Sequence, residues 1–199
     1  MTDVFQERGR VLLRVAWEEA ARTVGRPLPM VAATAASVVR SLADPGAAFV
    51  SLHRMDGDGR RSLRGCLGTL QPWRPLIDDV RAHARDVVRR DPRFAPVSAD
   101  ELDELRLEVT ELGPLVPLAV GSRAELLRAL VPGVDGLALR WGDRGATFLP
   151  QVWSDGAGDP GDFFDALLEK AGLPSGFWAP ELELRTYRIR SWHAPWPGC

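Results

Sequence analysis

Lysine is almost missing from this chain: of its 25 basic residues only Lys170 is a lysine, and the rest are arginines. So general an excess is compositional and by itself assigns no arginine-based chemistry. Cysteine is scarce too. Cys66 and Cys199 are too few for a disulfide scaffold and have no zinc-like spacing. The histidines, His53, His83 and His193, are scattered, so no metal site is expected, and the sequence points to no cofactor. No apolar run approaches the roughly 20 residues that span a bilayer. The N-terminus lacks the basic-then-apolar order of a signal peptide. The expected compartment is therefore the cytoplasm, with no membrane partner. The formal net charge is -2 and the pI about 6.0, the wrong balance for a nucleic-acid footprint. No Gly-x-Ser-x-Gly elbow, Walker loop or zinc-protease helix is present.

What is there is an ordinary globular mix, 45% hydrophobic and 26% charged over 199 residues. That is enough chain for one large domain or two small ones. The apolar spacing predicts a helix over about Asp3–Val24, stopped by Gly25 and Pro27. A short helix is predicted over Val31–Leu42. Strands follow at Ala47–Arg54 and Arg61–Leu70, joined by a hairpin turn at Asp56-Gly-Asp-Gly59, which lacks the rest of a calcium loop. A helix is predicted from Pro75 to about Arg90. Its stripe Arg81, Arg85, Arg89 reads as a solvated face paired with Asp78, Asp79 and Asp86. Ser98-Ala-Asp-Glu101 matches a capping box. Leu105, Leu107 and Val109 alternate with polar residues as a half-buried strand. Further on come a helix at Ser122–Leu130, a hairpin at Leu137–Trp141 and Ala146–Leu149 around Gly142–Gly145, a helix at Phe163–Ala171 and a last strand at Leu182–Trp192. Helices lie between hairpins, which predicts an α+β fold with a mixed, largely antiparallel sheet and flanking helices.

Gly156-Ala-Gly-Asp-Pro-Gly161 satisfies the dinucleotide fingerprint formally. Asp155 and Asp159 would face a pyrophosphate, and Pro160 has no N–H to donate. An acidic loop is the better reading.

The segment that carries chemistry is Arg64-Gly-Cys-Leu-Gly68. Glycines within a strand mark a bulge or a close approach. Regular alternation places Arg64 and Cys66 on one face, where the arginine would lower the thiol pKa and favour a nucleophilic or redox thiolate. The competing reading is a buried cysteine packed as a small apolar group.

Leu63-Arg-Gly-Cys-Leu-Gly-Thr69 resembles the hallmark of the AMMECR domain family, called AmmeMemoRadiSam system protein A in prokaryotes. Ala48-Phe-Val-Ser-Leu52, Asp91-Pro-Arg-Phe-Ala-Pro-Val-Ser98, Leu107-Glu-Val-Thr-Glu-Leu-Gly-Pro114, Gly133-Val-Asp-Gly-Leu137, Phe148-Leu-Pro-Gln-Val152 and Lys170-Ala-Gly-Leu173, with Trp178, resemble its other motifs in order. The resemblance implies one AMMECR-type domain over 1–199, in two unequal, tightly packed α/β parts with the hallmark near their junction. The larger part would hold the 47–116 hairpin and helices. A Memo-like protein and a radical SAM protein are the partners it implies. No reaction follows from it.

Two functions compete. In the first, the chain is a component of a Memo/radical SAM-linked modification system and binds a substrate or partner in a cleft with Cys66 at its floor. Cys66, Arg64 and Glu108 are then the catalytic candidates, Glu108 as acid/base or simply as an arginine's partner. Arg93, Asp91, Gln151, Gly65 and Gly68 are the binding candidates, and Arg64 with Arg93 could clamp a carboxylate or phosphate. The structural readings are a side-chain-bonded turn for Asp91 and Arg93, and satisfaction of buried backbone for Gln151. In the second, the chain is a non-enzymatic adaptor whose motif residues only hold shape.

Overall fold

A computed structural model of the chain describes residues 2–29, 40–55, 61–154 and 158–198. The predicted helix at 31–42 and the turn at 56–59 fall largely or wholly outside them, as do Gly156 and Cys199. The described residues form four α-helices and two antiparallel sheets, the α+β fold expected from the sequence. The chain divides into two compact units, residues 1–112 with 190–199, and residues 113–189.

The first unit begins with α1 (Thr2–Thr23), whose Leu12, Ala16, Trp17 and Ala20 recur at helical spacing and are buried. Gly25, at φ 85, ends it: Arg26 N–H bonds the Ala21 carbonyl and Gly25 N–H that of Arg22, a Schellman cap. Strands β1 (Pro45–Met55) and β2 (Arg61–Gly68) pair antiparallel, and the short β3 (Arg74–Pro75) pairs with the start of β1. Helix α2 (Leu76–Val87) follows. It stops short of the predicted Arg90, because the chain must turn out of helical geometry before Pro92. A 3-10 turn (Asp100–Glu104), β4 (Leu105–Leu112) and β9 (Ile189–Pro195) complete the unit, with sheet order β2-β1-β4-β9. Ala48, Val50, Leu52, Leu107 and Val109 line one face of this sheet and share a core with Leu12, Trp17, Val80 and Ala84. Each of the larger side chains contributes roughly 1.5–3 kcal/mol by its burial.

The second unit holds β5 (Val116–Pro117), α3 (Arg123–Ala129), β6 (Gly136–Trp141), β7 (Arg144–Phe148), a 3-10 turn (Pro150–Trp153), α4 (Pro160–Lys170) and β8 (Glu183–Tyr187). Its sheet runs β5-β8-β6-β7 over Leu126, Leu137, Phe163, Phe164 and Leu167. Ser122, predicted as the first helical residue, is the N-cap of α3, accepting from Glu125 N–H.

Four local expectations need correction. The single last strand is two, β8 and β9, which belong to different sheets; alternation cannot reveal which sheet each half joins. The hairpin turn between β6 and β7 is only Gly142-Asp143, with Gly142 at φ 61, so Arg144 and Gly145 are strand residues. The capping box is half made: Glu101 accepts from Ser98 N–H at 3.3 Å, but the Ser98 side chain caps nothing. Helix α4 starts three residues early, at Pro160, because Asp159 caps it by accepting from Gly161 N–H. That carboxylate takes a donor the fingerprint would offer to a phosphate.

Candidate functional site

Strand β2 is an outer strand, so half its peptide groups have no strand to bond. At Cys66 two side chains take that role. Cys66 N–H donates to Asp91 Oδ2 at 2.8 Å, and its carbonyl accepts from Arg93 Nη2 at 3.0 Å. Asp91 and Arg93 are themselves joined, Nε to Oδ1 at 2.9 Å and Nη2 to Oδ2 at 2.7 Å, and Asp91 also accepts from Arg93 N–H. The pair stands in for one peptide group of a neighbouring strand. Hydrogen bonds from Arg93 hold the buried Asp91 carboxyl far below the usual carboxylate range; burial opposes this, and the Cys66 and Arg93 amides reinforce it. The turn reading of Asp91 is thus met through Arg93 N–H, and both residues also hold the hallmark strand.

Arg64 is where the sequence reading fails. The β1–β2 register runs Leu52 to Gly65, then His53 to Leu63, which makes Arg64 the extra residue of a β-bulge. The bulge breaks the alternation that was expected to put Arg64 beside Cys66. Arg64 instead bonds Glu101 through Nε at 2.6 Å and Nη2 at 3.1 Å, and the Ala95 carbonyl at 2.9 Å. Glu101 also accepts from Arg54. Phe94 lies against both guanidinium groups, its ring 5.8 Å from Arg64 and 5.4 Å from Arg93. The expected Arg64–Arg93 anion clamp is therefore closed on Glu101 and Asp91. Arg64 Nη1 is buried without a partner.

Cys66, Ser51 and Glu108 occupy one rung across β2, β1 and β4: Cys66 is opposite Ser51, and Ser51 opposite Glu108. They lie on the sheet face away from the helical core. One rung further, His53 is opposite Arg106. Arg61 ties the rungs together, with Nη2 2.9 Å from Glu108 Oε2 and 3.2 Å from His53 Nδ1. Of the two roles open to Glu108, pairing with an arginine is the one its geometry displays. Burial pushes the half-buried Cys66 thiol up from its ordinary value of 9.0; the Ser51 hydrogen bond and Arg93 pull it down and do not prevail, and Asp91 and Glu108 push with burial. The expected lowering by Arg64 is absent, since Arg64 is engaged elsewhere.

The two hallmark glycines have steric reasons. A Cβ on Gly65 would lie 2.9 Å from Val87 Cγ2 in α2, and one on Gly68 would meet the Phe49 ring and the Ala48 carbonyl oxygen at 2.6 Å. Gly68→Ala should cost about 1–3 kcal/mol, because backbone cannot move aside as a side chain can. Equal urea midpoints for variant and parent would contradict this.

Asp79, expected on a solvated face, is fully buried. It accepts from Ala48 N–H at 3.0 Å, Thr69 Oγ1 at 2.9 Å and Arg74 Nε at 2.8 Å, with His83 Nε2 at 3.3 Å. This network anchors the end of the hallmark, Thr69, to α2. Gln151 belongs to the second unit; its Oε1 is buried without a partner, so the backbone-satisfying role expected of it is not seen.

Seven of the eight candidates, Arg64, Gly65, Cys66, Gly68, Asp91, Arg93 and Glu108, thus fall within the first unit. The sequence reading missed Ser51 and Glu101 as their partners, and Asp79 as the anchor of Thr69. Strand alternation offered one signal, placing Ser51 and Phe49 on the face opposite Val50. Among the described residues, no group of three or more His, Cys, Asp or Glu is placed to hold a metal ion. No described helix is long and apolar enough to cross a membrane.

The AMMECR1 family model matches residues 13–192. The chain belongs to the AMMECR1 family. A protein from Aeropyrum pernix is 42% identical over 151 residues, 75% of this chain but only 64% of its own length. A protein from Methanothermobacter thermautotrophicus is 36% identical over 146 residues, 73% of each chain. The crystal structure of the uncharacterized protein PH0010 from Pyrococcus horikoshii matches with a TM-score of 0.81 at 29% identity, covering 96% of this chain and 93% of that one. The AMMECR1 hallmark in this chain is the bulged outer strand β2, held at Cys66 by Asp91 and Arg93.

Proposed function

We propose that this AMMECR1-family chain is a component of a Memo-like, radical SAM-linked modification system and binds its substrate or partner in a cleft around Arg64-Gly65-Cys66-Leu67-Gly68. In this reading Cys66 is the group that meets the ligand. One observation carries it: both backbone polar groups of Cys66 are fixed by Asp91 and Arg93, while its thiol stands on a polar rung with Ser51 and Glu108. A fixed backbone under a half-buried thiol is preorganisation that packing alone does not require. The partners rest on the motif resemblance.

The thiol is protonated at rest. A nucleophilic or redox role therefore requires ligand binding to lower the thiol pKa, with the Ser51 hydroxyl placed to donate to the thiolate that forms. The adaptor reading has its own support: Arg64, Gly65, Gly68 and Asp91 all have structural duties in the folded chain.

The pH dependence of Cys66 alkylation in a Cys199→Ser background separates the two. On the first reading, native Cys66 alkylates slowly at pH 7. Its rate climbs about tenfold per pH unit, as thiolate fraction does, and levels only above the ordinary 9.0. A thiol that reacts only after unfolding leaves the adaptor.

A further inference from the structure

Arg106 stands apart from the other arginines of the first sheet's polar face and hallmark. Arg61 pairs with Glu108 through Nη2, Arg64 and Arg54 with Glu101, and Arg93 with Asp91. Arg106 is half-buried, forms no ion pair or side-chain hydrogen bond among the described residues, and its Nε is buried without a partner. A guanidinium N–H removed from water and left unpaired costs free energy that folding alone does not recover. Its opposite neighbour is His53, which accepts an Arg61 N–H at Nδ1. Arginine can only donate, so the neutral ring carries its proton on Nε2. Burial first, and then Arg61, hold the His53 pKa down, which keeps the ring neutral at pH 7. Nε2–H has no acceptor among the described residues. Beside the ligand rung, then, stand an uncompensated guanidinium, an unused imidazole N–H and the remaining N–H groups of Arg61. Glu108, the one carboxylate of this group, is already paired.

We infer that Arg106, with His53 and Arg61, forms an oxyanion-binding subsite, taking a carboxylate or phosphate carried by the ligand that lies over Cys66. The inference rests on the reading of this face as the ligand face and adds the ligand's charge and the group that recognises it. A planar guanidinium accepts either anion bidentately. On the sheet, Arg106 is two strands and one rung from Cys66. That is roughly 10 Å across and 7 Å along, so the anion and the group that meets the thiol belong to different parts of one ligand.

The test uses the full chain at constant ionic strength. The Arg106 Nε–Hε NMR signal, identified by its disappearance in Arg106→Gln, is followed during separate titrations with inorganic phosphate and with acetate. The expected result is a saturating shift with a midpoint on the order of 1–10 mM, ordinary for so small an anion. Binding should weaken at least about threefold in His53→Gln, and the exposed Arg140 signal should not respond. The anion that saturates first tells a phosphoryl ligand from a carboxylate one. A linear drift equal to that produced by chloride, or a midpoint unchanged in His53→Gln, overturns the subsite. The titration reads Arg106 directly and is repeated in Cys66→Ser. An inert thiol would sink the thiol reading and leave the anion titration just as decisive for the subsite.

Discussion

Replacing Asp79 with alanine should lower the unfolding free energy of the first unit by about 3–5 kcal/mol, the usual cost of stripping one partner from a buried ion pair. The carboxylate is fully buried and ties three segments to its helix: β1 through Ala48 N–H, the hallmark's end through Thr69, and β3 through Arg74, with His83 one turn further along α2. Alanine leaves the Ala48 amide and a largely buried guanidinium without acceptors. Asp79→Asn should fall between parent and alanine, since it keeps the shape and one acceptor but not the charge. The pH dependence follows from the same contacts. Burial pushes the Asp79 pKa up, but hydrogen bonds from His83, Arg74 and Thr69 outweigh it, so the folded-state value lies below the ordinary 3.8. The contribution is complete above that value and is lost as pH falls through it toward the folded-state value. Urea unfolding followed by fluorescence of the seven tryptophans should show the alanine variant's stability falling less steeply with acid than the parent's. A loss within about 0.5 kcal/mol, typical of a neutral surface change, would contradict the assignment.

Asp91→Ala should cost about 2–4 kcal/mol. The carboxylate side is buried, but Arg93 is half exposed, so the ion-pair part is discounted for solvent and the orphaned Cys66 amide carries most of the loss. Arg93→Ala should add less on top of it than it costs alone, because the two act as one unit. The site supplies a second readout. The Asp91 charge raises the Cys66 thiol pKa and the Arg93 charge lowers it. Asp91→Ala should therefore move the alkylation profile to lower pH, and Arg93→Ala to higher pH. Profiles that stay where they are in both variants would contradict this electrostatic coupling.

Much of the fold was legible locally. Helix α1 and the β1 and β4 strands follow from apolar spacing, because each depends on neighbours two to four residues away. The hallmark was legible as a place but not as a mechanism. Arg64 and Cys66 look like companions in sequence, and a single bulge residue sends the arginine to Glu101 instead. Asp79 reads as one acid on a charged helix, yet its helix turns it inward against Ala48 and Thr69. The sequence of α2 does not name those two partners, which lie 31 and 10 residues away.

Composition, periodicity and motif order by themselves determined the α+β class and the family. These depend on residue type and short-range spacing, which a sequence displays directly. The tertiary structure decided which side chains meet. Strand register put Ser51 between Cys66 and Glu108, the bulge removed Arg64 from the thiol, the outer position of β2 gave Asp91 and Arg93 their work, and burial raised the thiol pKa. Register and burial are properties of pairings between distant segments, and one residue of slip exchanges the two faces of a strand.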